Sequence, residues 1–540
     1  MFHQLLIPVG NSLALSFLVA ALPVLAVVVL LGVLRRPAWQ AALAGLLVGL
    51  VVAVGPWQMP IPLAIRSVLN GATFALWPVM WIVFNGLLLF NVAVRSGRFA
   101  AFRSWLLANL PDDRRVVLVV VGFCFGALLE GVAGFGCPVA ITASLLILVG
   151  FPALEALVFA LIFNTTPVAF GGLGLPVTVL GAVTGLPSPT LAAMIGRQLP
   201  ILALILPFYV IRLYGGWRSV RALWPVLLVA GASFACAQFL ASNFINYALT
   251  DVLSALTSLI ATLLFVRVWR LPREPAYMIE VADSERSGAA VAVPAWQGWL
   301  PWLIVSATVI LWSSFKLPAW GQHDIPWPGL HKAIAITLYN DKPYAAIWTF
   351  QPLATGTAVL VACVITALLF RVSPAAFWGC TKQTLRQAWF PTITVMLIVA
   401  LAYLMNYAGL AYTLGKGAAS TGHLFVVFSP FLGWVAVALS GSDASGNALF
   451  GNLQAVAARQ LNFSPVLFAA TNSSGGVMGK MISPQNIATG AAVTQLKGQE
   501  GLVFARTFVH SIVLTLLLVA LVLVQQYLIP GIIPDVSAAP

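Results

Sequence analysis

Two carboxylates stand beside glycine-rich turns in otherwise apolar stretches of the sequence. Glu130 lies in "LEGVAGFGCPVAIT" and Asp443 in "GSDASGNA". A charge at membrane depth is costly and normally faces a cavity or a partner, and burial favours the neutral form of a carboxyl group. Both residues are therefore candidates to bind and release a proton. The alternative is that one of them is a static ion-pair partner of Arg197 or Lys480.

A second pair of motifs carries short polar side chains at one shared spacing. The strings "NTTPVAFGGLGLP" and "NSSGGVMGKMISP" begin at Asn164 and Asn472, and both follow the pattern N-[ST]-[ST]-x4-G-x4-P. At the amino-terminal end of an interrupted helix, free N–H groups and the helix dipole can hold a carboxylate. Such residues can equally cap a helix, but their pairing favours a binding role.

The composition indicates that these motifs lie in a bilayer. Of the 540 residues, 61% are hydrophobic and 8% are charged, whereas a soluble domain contains roughly a quarter charged residues. Apolar runs of the length that a spanning helix needs recur along the chain. We predict an all-α polytopic membrane protein with a single transporter domain over 1–540, and roughly 12 to 14 transmembrane segments.

The net charge of +13 follows the expected topology and does not indicate a nucleic-acid partner, because the arginines cluster after apolar runs. The positive-inside rule places these clusters in the cytoplasm and both termini on the outer side of the membrane. Segment 271–297 is predicted to be a flexible cytoplasmic linker and segment 316–351 an outer loop. Asp251, at the start of an apolar run, is expected near the outer surface.

The same landmarks recur in one order in two parts of the chain and predict an internal duplication. A proline (Pro78, Pro391) precedes each glycine-rich turn, and an Asn-[ST]-[ST] string follows it. The repeats are expected at about 76–215 and 389–530, and counting crossings from the arginine clusters gives them opposite orientations. Inverted-repeat secondary transporters place their sites near the membrane midplane, on discontinuous helices or re-entrant hairpins.

With "IGRQLP" and "VFSPFLGWVAVALSGSDASGNALF", these motifs resemble those of the lactate permease family of bacterial L-lactate and glycolate transporters. The resemblance covers nearly the whole chain. It implies proton symport of short 2-hydroxymonocarboxylates, namely L-lactate, D-lactate and glycolate. The chain is similar, more distantly, to the ion transporter superfamily, whose members often act as dimers with an elevator-like motion. That similarity implies a homodimer in the lipid membrane.

We therefore expect a proton to neutralise Glu130 or Asp443 while the substrate anion binds with Arg197 or Lys480 as its counter-charge. The expected substrate-binding residues are Gly134, Gly136, Asn164, Thr165, Thr166, Arg197, Ser442, Ser445, Asn447, Asn472, Ser473, Ser474, Lys480 and Gln485. Sodium coupling is the nearest alternative, because unwound carbonyls and Ser/Asn side chains suit sodium. The sequence contains no enzyme-like nucleophile and base, and the scattered cysteines indicate no metal site or cofactor.

Overall fold

The computed structural model describes residues 1–535 except 35, 133, 135, 136, 270, 271, 273 and 280–292, and these described residues are mostly helical. The all-α prediction is confirmed. In chain order the α-helices are α1 Leu13–Val28, α2 Ala38–Val54, α3 Ile61–Phe74, α4 Trp81–Arg95, α5 Arg98–Ala108, α6 Arg114–Val117, α7 Gly126–Val132, α8 Cys137–Leu148, α9 Ala153–Phe163, α10 Gly171–Thr184, α11 Ser188–Ile195, α12 Leu199–Leu240, α13 Thr250–Val268, α14 Leu300–Ser314, α15 Thr355–Leu369, α16 Pro374–Ala408, α17 Leu410–Ala419, α18 Phe425–Ser440, α19 Asp443–Gln460, α20 Pro465–Lys480, α21 Pro484–Val493 and α22 Glu500–Tyr527.

Short π-helical and 3-10 turns join several of these helices into longer rods. The π-helical turns are Val29–Val33, Ala75–Met80, Leu118–Phe125 and Ala241–Ile245. The 3-10 turns Val168–Phe170 and Tyr247–Leu249 lead into α10 and α13. Because Leu118–Phe125 runs directly into α7, residues Arg114–Val132 form one continuous and fully buried span.

Eight helices within the described residues are long and apolar enough to cross a bilayer, or nine if α9 and Val168–Thr184, bent by 63°, form one span. Four shorter apolar helices join them, and the 58-residue rod Ser188–Ile245 is longer than a single crossing needs. That rod is broken at Gly216, where φ is +70°. The figure of roughly 12 to 14 crossings stays a prediction, since the shorter helices are below the length of about 20 residues that a crossing needs.

The two stretches predicted to be repeats contain helices in the same order. In the first, the span that ends with α7 is followed by α8, α9 and α10, and in the second α18 is followed by α19, α20 and α21. Each set has a chain interruption after its first helix and another after its third. The inverted relation between the two sets stays a prediction.

The string that begins at Asn472 does not interrupt a helix, contrary to the prediction. It lies inside α20, and the interruption comes only after Lys480. Its glycines instead allow close helix packing, because a β-carbon at Gly475 would lie 2.1 Å from the Pro430 carbonyl oxygen of α18. One at Gly479 would lie 2.2 Å from that of Trp434. This is the small-xxx-small spacing by which membrane helices approach each other.

The predicted loop 316–351 contains short strands. They are β2 His323–Pro326, β3 Ile334–Ile336, β4 Lys342–Pro343 and β5 Ile347–Phe350, with β1 Phe2–His3 contributed by the amino-terminal segment. β1 pairs in parallel with β3, β3 is antiparallel to β4, and β2 is antiparallel to β5. The start of the chain is thereby attached to a loop more than 300 residues away.

The beginning of the predicted linker 271–297 is packed against the helices, although 280–292 lie outside the described residues. Arg115 is fully buried and pairs with Asp113 at 2.6 Å and with Glu274 at 3.0 Å. Its guanidinium also stacks on the ring of Tyr277, 4.3 Å from the ring centre. The beginning of the segment therefore supplies partners that a buried guanidinium needs, and the flexible linker stays a prediction.

Candidate functional site

A buried ion pair joins the two halves of the chain. Lys480 Nζ lies 2.7 Å from Glu130 Oε1, and both side chains are almost completely buried. The second carboxylate oxygen, Oε2, accepts a hydrogen bond of 3.0 Å from the amide of Asn164. The first-half motifs thus supply the carboxylate and one donor, and the second half supplies the cation.

Local structure explains why these side chains meet. Glu130 is in the last turn of α7, just before the glycine-rich interruption, and Asn164 is the residue at which α9 ends. Lys480 is the last residue of α20, where the carbonyl end of the helix favours a cation. Gly171 leaves room for the carboxylate, since a β-carbon there would lie 2.9 Å from Glu130 Oε1.

Asp443 is the second buried carboxylate of the site and begins α19. Its Oδ2 accepts hydrogen bonds from the Ser473 hydroxyl and, at 3.3 Å, from the Asn447 amide. Its Oδ1 has no hydrogen-bond partner among the described residues. That oxygen lies against α20, because a β-carbon at Gly476 would be 2.4 Å from it. The Lys480 ammonium is within electrostatic range of this carboxyl group as well.

A chain of amide side chains fixes the orientation of the second motif. Asn472 donates to Asn447 Oδ1 at 2.9 Å and accepts from Gln454 at 2.8 Å. Asn447 in turn donates to the Pro176 carbonyl of α10 at 3.1 Å. Gln454 was not among the predicted residues, although an amide within an apolar helix is a signal for such a network.

The remaining predicted hydroxyl groups have different surroundings. Thr165 donates to the Ile162 carbonyl at 2.7 Å, and Ser442 caps α19 by accepting from the backbone N–H of Ser445. The hydroxyls of Thr166 and Ser474 are buried and have no hydrogen-bond partner among the described residues. These two are free to serve a ligand, whereas Thr165 and Ser442 have helix-end roles.

Other predicted residues lie apart from the ion pair. Arg197 donates to the Asn243 side chain at 3.0 Å and to the Ile532 carbonyl near the carboxyl terminus, so its guanidinium is engaged elsewhere. Gln485 is exposed. Gly134 is buried with φ of +53°, and Gly136 lies outside the described residues.

Asp251, expected near the outer surface, is instead completely buried. It lies in the first turn of α13 and packs against α7, where a β-carbon at Gly131 would be 2.8 Å from the Asp251 β-carbon. Neither of its carboxylate oxygens has a hydrogen-bond partner among the described residues. Hydropathy along one helix does not reveal which other helix covers its end, and the depth of Asp251 in the membrane stays a prediction.

The site therefore combines one buried cation with three buried acids, and both halves of the chain contribute. The hydroxyls of Ser474 on α20 and of Thr166 in the turn after α9 have no hydrogen-bond partner among the described residues. Such a constellation can bind an organic anion and exchange protons, and it differs from a nucleophile–base pair or a metal-ligand set. Within the described residues, no group of three or more His, Cys, Asp or Glu side chains could hold a metal ion.

Comparison with known proteins agrees with a membrane transport site. The profile of the family described as L-lactate permease matches residues 16–529. The chain is 40% identical to the L-lactate permease of Salmonella typhimurium (strain LT2), over 98% of each chain. It is 39% identical to a glycolate permease of Escherichia coli (strain K12), over 98% of this chain and 99% of that one. The solved structure of Neisseria gonorrhoeae MtrF, only 11% identical, has a TM-score of 0.50 over 93% of this chain and 97% of that chain, a likeness of fold alone.

Proposed function

The chain belongs to the L-lactate permease family, and from that premise we propose that it takes up L-lactate, D-lactate or glycolate together with protons across a bacterial cytoplasmic membrane. A permease is a transporter, and this one is a multi-pass membrane protein. The relatives named for L-lactate and for glycolate support this substrate class. The orientation, with both termini outside, follows from the arginine clusters.

The observation that carries the proposal is the buried pair of Lys480 and Glu130 beside Asp443. A hydrophilic anion such as lactate needs a cation and hydrogen-bond donors in place of its water. Lys480 is favoured over Arg197 as the counter-charge, because the Arg197 guanidinium is bonded to Asn243 and the Ile532 carbonyl. The substrate carboxylate would compete with Glu130 for the Lys480 ammonium.

The 2-hydroxyl group of the substrate needs a short polar partner next to that cation. The Ser474 hydroxyl is buried without a hydrogen-bond partner among the described residues, and so is that of Thr166. Asn164 lies with Thr166 in the turn after α9, and Asn472 lies with Ser474 on α20. Their amides donate to Glu130 and to Asn447 in this structure and would exchange those partners for the substrate. These four side chains form the proposed binding surface for the hydroxyl and the second carboxylate oxygen.

Coupling to a cation follows from the charge of the substrate. An inside-negative potential opposes entry of an anion by about 2.3 kcal/mol per 100 mV, so accumulation requires a co-transported cation. Of the two predicted carriers, Asp443 is favoured over Glu130. Both oxygens of Glu130 are already bonded to donors that stabilise its charge, whereas Asp443 Oδ1 is free among the described residues. A proton on Asp443 would remove one negative charge near the substrate.

The test is uptake of labelled L-lactate into proteoliposomes with an imposed inward proton gradient and no sodium. We compare the native chain with Asp443→Asn and Glu130→Gln. The matched control is Glu155→Gln, an exposed acid in the first turn of α9. Counterflow exchange, which needs binding and site reorientation but no net gradient, is measured on each variant.

We expect concentrative uptake by the native chain and by the control. Asp443→Asn should keep exchange but lose accumulation. Accumulation that needs an imposed sodium gradient at clamped pH would instead establish the sodium-coupled alternative. If both substitutions leave proton-driven accumulation intact, neither carboxylate carries the coupled proton.

A further inference from the structure

Asp251 is a third carboxylate at this site that the proposed mechanism does not yet use. It is fully buried, and neither oxygen has a hydrogen-bond partner among the described residues. A buried polar group without a partner is unfavourable, and evolution normally supplies it with a partner or removes it. The carboxyl group of Asp251 can thus accept a proton, because no described side chain donates a hydrogen bond to either of its oxygens.

The packing of α13 on α7 brings this carboxyl group to the ion pair. A β-carbon at Gly131 would lie 2.8 Å from the Asp251 β-carbon and 3.2 Å from the Val252 nitrogen, so the two backbones nearly touch. Gly131 directly follows Glu130, and both Glu130 and Lys480 are within electrostatic range of Asp251. Asp251 therefore interacts with the charges of Glu130 and Lys480, with which a bound substrate anion would also interact.

Few other ionisable groups face Asp251. The Tyr247 hydroxyl is engaged with that of Thr178 at 3.2 Å, and Cys124, on the π-helical turn packed against α13, faces Ser258 about two turns further along. Of the other elements packed on α13, α10, α14 and the turn Ala241–Ile245 contain no charged residue. The charged residues of α12 are Arg212, Arg218 and Arg221, well before the end of α12 that leads towards Asp251. Cys236 within 222–245 is exposed. Glu130 and Lys480 thus set the electrostatic environment of Asp251.

The charge balance decides what Asp251 can do. If Glu130, Asp251 and Asp443 were all ionised, the single ammonium of Lys480 would leave two negative charges buried without compensation. Such charges are strongly disfavoured in a low-dielectric interior. A substrate anion would add one more. Each protonation of an unpaired acid removes one negative charge from the site, and this offsets the charge of one bound anion.

We propose that Asp251 is a proton-binding residue of the transport cycle, and that its protonation permits an organic carboxylate to bind beside Lys480. The proton arrives from water on one side of the membrane, binds an Asp251 oxygen, and returns to water when the anion leaves. This inference rests on the proposed proton-coupled uptake of 2-hydroxymonocarboxylates. It makes Asp251 a proton site in addition to Asp443. It also predicts the direction of the effect, since neutralising Asp251 should strengthen substrate binding.

The experiment measures the half-saturation concentration of L-lactate in counterflow exchange at pH 5.5, 6.5 and 7.5. The native chain is compared with Asp251→Asn, which is nearly isosteric and resembles the protonated acid. Thr262→Val, a buried substitution on the same helix about three turns away, is the matched control. Proton-driven accumulation is measured on the same vesicles.

For the native chain, the half-saturation concentration should fall as pH falls, by about tenfold, a typical coupling between linked sites. Asp251→Asn should bind L-lactate about tenfold more tightly than the native chain at pH 7.5, vary less with pH, and accumulate less. A residue that only supports the fold would weaken binding when altered. Unchanged or weaker binding at pH 7.5, with the native pH dependence retained, overturns the inference.

Two further results keep the outcome decisive. If Asp251→Asn does not assemble, Asp251→Glu keeps a titratable carboxyl one methylene further out and should retain coupled uptake with a displaced pH profile; an unchanged profile overturns the inference. If the native chain itself fails to accumulate L-lactate with a proton gradient, the proposed function fails, whatever the variants do. A failure confined to the variants counts against Asp251 alone.

Discussion

Removing the lysine of the buried ion pair should destabilise the fold more than removing the pair as a whole. In Lys480→Met the Glu130 carboxylate stays buried with only the Asn164 amide as a donor. At 2.7 Å the lost attraction is about 6 kcal/mol for an effective dielectric constant of 20. Desolvation of both groups offsets part of it. Loss of one partner of a buried pair typically costs about 3–5 kcal/mol, and we expect that range here.

The double variant Lys480→Met with Glu130→Gln removes the uncompensated charge. We therefore expect it to be at least about 2 kcal/mol more stable than Lys480→Met alone, because replacing a whole buried pair is often neutral.

The assay is the free energy of unfolding of purified protein in mixed micelles titrated with sodium dodecyl sulfate. The control is Lys497→Met at an exposed position, for which a change within about 0.5 kcal/mol is expected. A double variant no more stable than Lys480→Met would refute the reasoning, because the cost would then come from lost packing of the lysine side chain and not from the orphaned carboxylate.

Two other substitutions test the packing around the site. Gly476→Ala places a β-carbon 2.4 Å from Asp443 Oδ1, so we expect a loss of about 1–3 kcal/mol in the same unfolding assay and weaker uptake. Gly501→Ala, which meets nothing within 4 Å, should be nearly neutral, and equal losses at both positions would contradict this explanation. Arg115→Ala removes the ion pair with Glu274 and the stacking on the Tyr277 ring, which hold the start of segment 271–297. Amide hydrogen exchange over 274–279 should then increase, whereas unchanged exchange would mean that the bridge between Asp113 and Met278 holds the segment alone.

Composition and motif spacing were sufficient to predict a helical membrane protein. A carboxylate in an apolar run must find a partner, and the sequence offered Lys480 among the two cations considered for Glu130. The structure contains that pair. The sequence offered this pairing as the alternative to a proton-carrying role, and it could do so because the charged residues at membrane depth are so few that few pairings are available.

Sequence reasoning failed where two structures share one composition. Glycine and serine residues are typical both of a helix interruption and of close helix packing, and the string from Asn472 to Lys480 turned out to be the second kind. The same string pattern at Asn164 does end a helix. The proline after Asn164–Thr166 is the difference, since Pro167 cannot donate the backbone hydrogen bond that continues α9.

Asp251 illustrates a different limit. Its position at the start of an apolar run fits an aqueous interface as well as a buried helix end, and only the covering helix separates the two. Here α7 covers it, and contact at Gly131 is close because that residue has no side chain. Burial of this kind is a tertiary property, so it follows from the arrangement of helices and not from periodicity along one of them.

The balance of three acids against one lysine links stability to the proposed transport. If the site held only the Lys480–Glu130 pair, it would be most stable without substrate. A substrate anion would then have to displace Glu130 from Lys480, and the displaced negative charge would have no partner. Asp443 and Asp251 change this balance, because a proton on either acid removes one negative charge from the site. The state that accepts the substrate anion is then also the state that has taken up protons. Coupling would arise from the cost of uncompensated charge in a buried site. Each substitution that neutralises an acid should therefore make substrate binding less dependent on pH, while exchange of substrate across the membrane continues.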